Sequence, residues 1–109
     1  MESIIATEAL GALAQSTRLD CFRLLVRHEP AGLAAGDIAR QLDVPPNTLS
    51  THLNILARAG LVSATRQGRS IVYRAHISTL RDLMIFLAKD CCEGRSDLCA
   101  PLIAELTCC

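Results

Sequence analysis

The sequence predicts a mainly α domain of five helices with one small β-hairpin. Three observations lead to that class. Half of the 109 residues are apolar, yet Phe22, Phe86 and Tyr73 are the only aromatic ones. A core made of Leu, Ile, Val and Ala suits packed helices better than a sheet sandwich. Apolar residues also recur at helical spacing along most of the chain, broken once by two short extended runs around a glycine. The length allows one domain with one core. So much apolar surface is hard to hide in so short a chain, and a partner subunit is expected.

From Ser3 to about Gln15 the pattern is helical, with Ile4, Leu10, Leu13 and Ala14 as its apolar side. Ser16 or Thr17 is placed to cap a second helix carrying Leu19, Phe22, Leu25 and Val26. Pro30-Ala31-Gly32 ends it. A short third helix runs from about Ala35 to Leu42, with Ile38 and Leu42 inward. Val44-Pro45-Pro46-Asn47 makes the turn, because a helix can begin at these prolines but not pass through them. The fourth helix follows to Ala59, with Leu49, Leu53 and Leu56 as its buried stripe and Gly60 as the residue that ends it. Leu61 to Thr65 and Ser70 to Arg74 read as two strands around Arg66-Gln67-Gly68-Arg69. A fifth helix, about Ile77 to Asp90, carries Leu80, Leu83, Met84, Ile85, Phe86 and Leu87. Leu83, Met84, Phe86 and Leu87 cannot all be buried within one small chain, so the simplest cover is a second copy, giving a homodimer through the first and last helices.

Two short helices, a tight turn and a basic hairpin make a winged helix-turn-helix, whose second helix enters the DNA major groove while the first braces it. The exposed side of the fourth helix offers Asn47, Thr48, Ser50, Thr51 and Asn54. Asn pairs bidentately with adenine, and Ser and Thr reach bases or phosphates. His52 is read either as a phosphate contact or as packing against the second helix. Arg66 and Arg69 on the wing are placed for phosphate or minor-groove contact. A polar helix face alone is equally an ordinary solvated one; the ordered set of helix, turn, helix and wing decides for double-stranded DNA.

The formal net charge is zero, but its distribution is uneven. Between Ile38 and Ala75 lie Arg40, Arg58, Arg66, Arg69 and Arg74 against Asp43, a net +4, and the segments on either side are each −2. A basic middle with acidic ends is expected if only the middle meets phosphate. No basic leader precedes an apolar run and no run approaches a membrane span, so a cytoplasmic protein is expected. Six cysteines in a reducing compartment are more plausible as ligands or redox groups than as a disulfide framework.

Asp37-Ile38-Ala39-Arg40-Gln41-Leu42, Thr48-Leu49-Ser50-Thr51-His52-Leu53 and Leu56-Ala57-Arg58-Ala59-Gly60-Leu61-Val62 resemble the ArsR/SmtB family of metalloregulatory repressors. Leu13 to Leu19 is similar to the family's entry into its second helix, and the resemblance covers about residues 8–90. It implies a homodimer that represses its own resistance operon until an inducer binds. The family's best-known arsenic site, Cys-Val-Cys before the recognition helix, falls here on Ala34-Ala35-Gly36-Asp37, which has no thiol. Its zinc site on the last helix needs Asp and His pairs, and only His76 and Asp82 are at hand.

Cys91, Cys92 and Cys99 remain. Three soft ligands select a thiophilic ion. Zinc wants four ligands at a closed site, whereas trivalent arsenic or antimony is satisfied by three thiolates in a pyramid. Gly94 would let the chain turn back so that Cys99 meets the vicinal pair. Such a cluster resembles the relocated arsenite sites of some family members. Residues 1–90 are thus expected to form the DNA-binding and dimerisation domain, and residues 91–109 a cysteine-rich effector-binding tail. The expected function is a repressor that leaves its operator when arsenite, an organoarsenical or antimonite binds this cluster, with no cofactor needed for folding. A thiol redox sensor or a divalent-metal sensor of the same fold stays open. Cys21, inside the second helix, reads as a small core residue. Cys108-Cys109 is open between a fourth ligand, a second site and no role. No catalytic residues are expected, because the sequence has neither a phosphate cradle nor a Cys-x-x-Cys at a helix start.

Overall fold

In the computed structural model the described residues are 1–89 together with Ala100, Pro101 and Glu105. Five helices and three strands follow in the order α1 (Ser3–Leu13), α2 (Ser16–Arg27), β1 (Leu33–Ala34), α3 (Ala35–Leu42), α4 (Pro46–Arg58), β2 (Val62–Gln67), β3 (Ser70–Ala75) and α5 (Ile77–Lys89). No helix among the described residues is long and apolar enough to cross a membrane.

Local chemistry explains where these helices start and stop. Gln15, rather than Ser16 or Thr17, is the N-cap of α2: its side-chain oxygen accepts from Arg18 N at 2.8 Å. Gln can serve because the requirement is an acceptor reaching the third amide of the first turn. Helices α3 and α4 both end in the same way. Asp43 and Gly60 take positive φ of 53° and 78°. Behind them Val44 N donates to Ala39 O at 3.0 Å, and Leu61 N to Leu56 O at 3.0 Å. These are Schellman closures, with Leu56 and Leu61 both sealed in the core as the accompanying apolar contact. Gly68 (φ 64°) opens the two-residue turn between Gln67 and Ser70, where a tight hairpin needs positive φ.

The core is a cluster of Phe22, Leu24, Leu25, Ile38, Leu49, Leu53, Leu56 and Leu61 joined by Cys21, Ala39, Val62, Ala75 and Leu83. The leucines of α4 occupy it as their spacing requires. Two faces differ from the reading of the sequence. Helix α1 turns Ala6, Ala9 and Ala12 inward, while Ile4 and Leu10 point out. Small side chains let α1 lie close to its neighbours, and its large ones are left over. On α2, Leu19 is likewise exposed and Cys21 takes the inward place.

The sheet has the order β1-β3-β2, all antiparallel. Strand β1, two residues long, was not foreseen from the sequence. It pairs Leu33 with Tyr73 and Ala34 with Val72, fastening the hairpin to the start of α3. Gly32 makes this approach possible. Its φ is 75°, and a Cβ there would stand 2.5 Å from Tyr73 O and 2.7 Å from Arg74 Cγ. Only the base of the hairpin, at Val62 and Ala75, is buried.

Candidate nucleic-acid interface

Helix α4 is held on one side by its leucine stripe, so its polar side is forced outward. Asn47, Thr48, Ser50, Thr51 and Asn54 are all exposed. Ser50 Oγ donates to Pro46 O at 3.0 Å and Thr51 Oγ1 to Asn47 O at 3.5 Å, so both hydroxyls are held by their own helix. Among the described residues, the side chains of Asn47, Thr48 and Asn54 make no hydrogen bond to the protein and are free to meet a ligand. His52 differs from these five. It is half-buried, and its Nδ1 lies 3.4 Å from Nη1 of Arg18 on α2.

The wing carries Arg66 near the end of β2 and Arg69 in the turn, both exposed. Arg66 Nε donates to Gly68 O at 3.4 Å, across the hairpin tip. The strands run further than the sequence suggested, so Arg66 belongs to a strand and the turn shrinks to Gly68-Arg69.

The basic middle of the chain is less free than a count of its charges implies. Arg40 is ion-paired with Asp37 one turn earlier on α3. Arg74 makes a two-pronged pair with Glu29, Nε to Oε1 at 3.2 Å and Nη2 to Oε2 at 2.8 Å. That hydrogen-bonded guanidinium holds the Glu29 carboxyl below the usual glutamate range, and Glu29 in turn raises Arg74. The pair clamps the α2–β1 connection to β3. Arg58, Arg66 and Arg69 are then the arginines of this stretch that lack a carboxylate partner among the described residues. Arg58 sits at the end of α4, and Arg66 and Arg69 sit on the wing.

The thiols divide sharply. Cys21, the one cysteine among the described residues, is fully buried, and burial pushes its thiol up to about 11. It is a core residue, as its setting beside Phe22 suggested. Cys91, Cys92, Gly94, Cys99, Cys108 and Cys109 lie outside the described residues. Among the described residues no three His, Cys, Asp or Glu side chains gather closely enough to hold a metal ion.

Helix α5 meets the reader directly. Thr79 Oγ1 donates to Gly60 O at 2.8 Å, and His76 N to Leu61 O at 2.8 Å, so the start of α5 is tied to the closure of α4. Arg18 is a residue that the sequence does not single out: its contact with His52 joins positions 34 apart and has no local signal.

Comparison with known proteins agrees with this architecture. A helix-turn-helix domain family matches residues 13–63. The transcriptional repressor SdpR of Bacillus subtilis is 31% identical over 87 residues, 80% of this chain and 93% of that protein. Among solved structures, an ArsR-like transcriptional regulator from Rhodococcus sp. RHA1 is 27% identical, with a TM-score of 0.71 over 95% of this chain and 93% of that one. A homodimeric winged helix-turn-helix DNA-binding domain from Mycobacterium bovis, a possible ArsR-family regulator, is 26% identical, with a TM-score of 0.66 over 82% and 81% of the two chains. With the helix-turn-helix, the wing and a relative aligned along nearly its whole length, the chain belongs to the ArsR family of DNA-binding helix-turn-helix transcriptional regulators.

Proposed function

We propose that this regulator is a homodimeric repressor that leaves its operator when trivalent arsenic binds Cys91, Cys92 and Cys99. The observation that carries the effector assignment is the state of the thiols. Cys21 is sealed and held protonated, and a soft ion needs thiolates. The remaining cysteines all follow α5, in the acidic tail that residues 91–109 form. Arsenous acid would exchange its three hydroxyls for three thiols, releasing three waters and forming three As–S bonds.

The dimer reading is supported by what a single chain leaves uncovered. Ile4, Ile5 and Leu10 of α1 and Ile85, Phe86 and Leu87 of α5 are all exposed. The Mycobacterium bovis domain of the same fold is homodimeric. Two copies joined through these helices would offer two recognition helices to half-sites about one DNA turn apart. In this reading Asn47, Thr48, Ser50, Thr51 and Asn54 read the groove, while Arg66, Arg69 and His52 contact the backbone. An effector at the end of α5 reaches α4 through the Thr79–Gly60 and His76–Leu61 hydrogen bonds at the other end of that helix. Release requires tighter arsenic binding to the DNA-free arrangement than to the bound one.

The test is a titration of sodium arsenite against the reduced dimer on a duplex selected from random DNA by the wild-type protein. Each single Cys→Ser change at 91, 92 or 99 is expected to leave DNA binding intact and blunt release. A Cys91→Ser/Cys92→Ser variant that arsenite displaces at the wild-type concentration sinks the proposal. Release by peroxide but not by arsenite under reducing conditions would favour a redox sensor.

A further inference from the structure

Three helices converge on the side chain of Arg18. Its own amide is capped by Gln15 at the start of α2. Its Nε donates to Ala12 O at 2.6 Å, one of the last carbonyls of α1, which has no partner inside its own helix. Its Nη1 lies 3.4 Å from Nδ1 of His52 on α4. A guanidinium has only donors to offer, and it keeps its proton under all ordinary conditions. Nδ1 of His52 must therefore be the lone-pair nitrogen of that contact. A neutral His52 then carries its proton on Nε2, which becomes the ring's one donor.

We propose that Arg18 is a positioning residue for DNA binding: it fixes the His52 ring and its Nε2–H tautomer, so that His52 donates to a DNA phosphate from a helix braced against α1. This rests on the reading of α4 as the recognition helix. It explains why His52 alone among the polar residues of that face is half-buried. A phosphate contact gains from a donor that is already oriented, because no ring rotation or proton shift has to accompany binding. The same brace carries α1, where the dimer surface is proposed, onto α4, so association and reading share one side chain.

The test uses the full-length reduced protein at pH 8. Two-bond proton–nitrogen spectra of the imidazoles read the tautomer, and loss of one signal in His52→Gln assigns it among the three histidines of the chain. The expected result is Nε2–H in the wild type and a mixture in Arg18→Met, which keeps the stem and removes the donors. On the selected duplex Arg18→Met should bind about tenfold more weakly, the scale of one charged hydrogen bond. In a His52→Ala background the same change should cost less than about twofold, since Arg18 acts through His52. A proton on Nδ1 in the wild type overturns the proposal. So does an equal loss from Arg18→Met in both backgrounds, which would make Arg18 merely structural. Should Arg18→Met lose its helicity, Arg18→Lys takes its place: a single ammonium keeps the charge but not the bridge, and the same coupling to His52 is expected. If His52→Ala, Asn47→Ala and Thr51→Ala all bind as the wild type does, the recognition-helix reading has failed, and this proposal with it, even with the tautomer as stated.

Discussion

Around α2, α3 and α4 the large apolar side chains are sealed: Leu25, Ile38, Leu49, Leu53, Leu56 and Leu61 are each less than 2% exposed. On the outer faces of α1 and α5 the same kinds of side chain stand open, with Ile4 70%, Ile85 54% and Leu87 52% exposed. One half of the molecule closes on itself, with an ion pair and a third strand to fasten its wing. The other half leaves these side chains uncovered among the described residues. The difference teaches that the polar face of α4 and the open faces of α1 and α5 use different side chains, although both depend on the one core and meet at Arg18.

The largest effect should come from charging the open half. An Ile85→Glu/Leu87→Glu variant is expected to keep its helicity, sediment as a monomer and lose affinity for the selected duplex on the order of a thousandfold, since two linked half-site contacts become one. Leu83, which the sequence marks for the partner face, is sealed within its own chain, so charging it would strike the fold as well and would not make the distinction. A double variant that remains a dimer would break the comparison. In the closed half, Gly32→Ala should cost about 3 kcal/mol, because a Cβ meets the β3 backbone at a positive φ. That loss should be the same at every protein concentration, whereas the melting temperature of the wild type should rise with concentration.

Cys21→Ser comes next. It buries a hydroxyl in an apolar core and should cost about 2 kcal/mol even where that hydroxyl bonds back to its own helix, with the arsenite response retained. The folded wild type should also resist thiol alkylation at Cys21, given a thiol pushed up to about 11. Arg69→Ala should leave stability alone and shallow the salt dependence of DNA binding by about one unit. An unchanged slope would remove the wing from the interface.

The smallest effect concerns the Glu29–Arg74 clamp. The Glu29 carboxyl is depressed in the folded protein, so its stabilisation is present above the unfolded glutamate value, about 4.3, and is lost as pH falls through the lower folded value. Melting temperatures of wild type and Glu29→Gln should therefore differ at neutral pH and converge in that acid window. The difference should be small, because Arg74 is half exposed and water screens the pair.

The closed half was the legible one. Leu49, Leu53 and Leu56 announce the buried side of α4 by spacing alone, and Gly60 and Gly68 mark the ends and turns that need positive φ. The open half was misread at α1 because large side chains were assumed to face the core. Three alanines at i, i+3 and i+6 do so instead, and alanine carries too weak an apolar signal to outvote isoleucine. Strand β1 escaped notice because two residues hold no periodicity; its evidence is Gly32, whose need for space appears only once β3 is beside it. The clamp and the Arg18 contacts join residues 45 and 34 positions apart, and no local pattern encodes such a pairing. The thiols that follow α5 were visible as chemistry, in their number and softness, and lie outside the described residues.

The alanine stripe of α1 has a consequence for a cell that holds several regulators of this fold. Because small residues do the work of attachment, Ile4, Ile5 and Leu10 are left outside the core of the described residues. They can diverge at almost no cost to folding. In the dimer proposed through α1 and α5, changes there matched by changes at Ile85 and Leu87 would make paralogous subunits refuse to mix, so each regulator would keep its own signal and its own promoter while the DNA-reading half stays as it is.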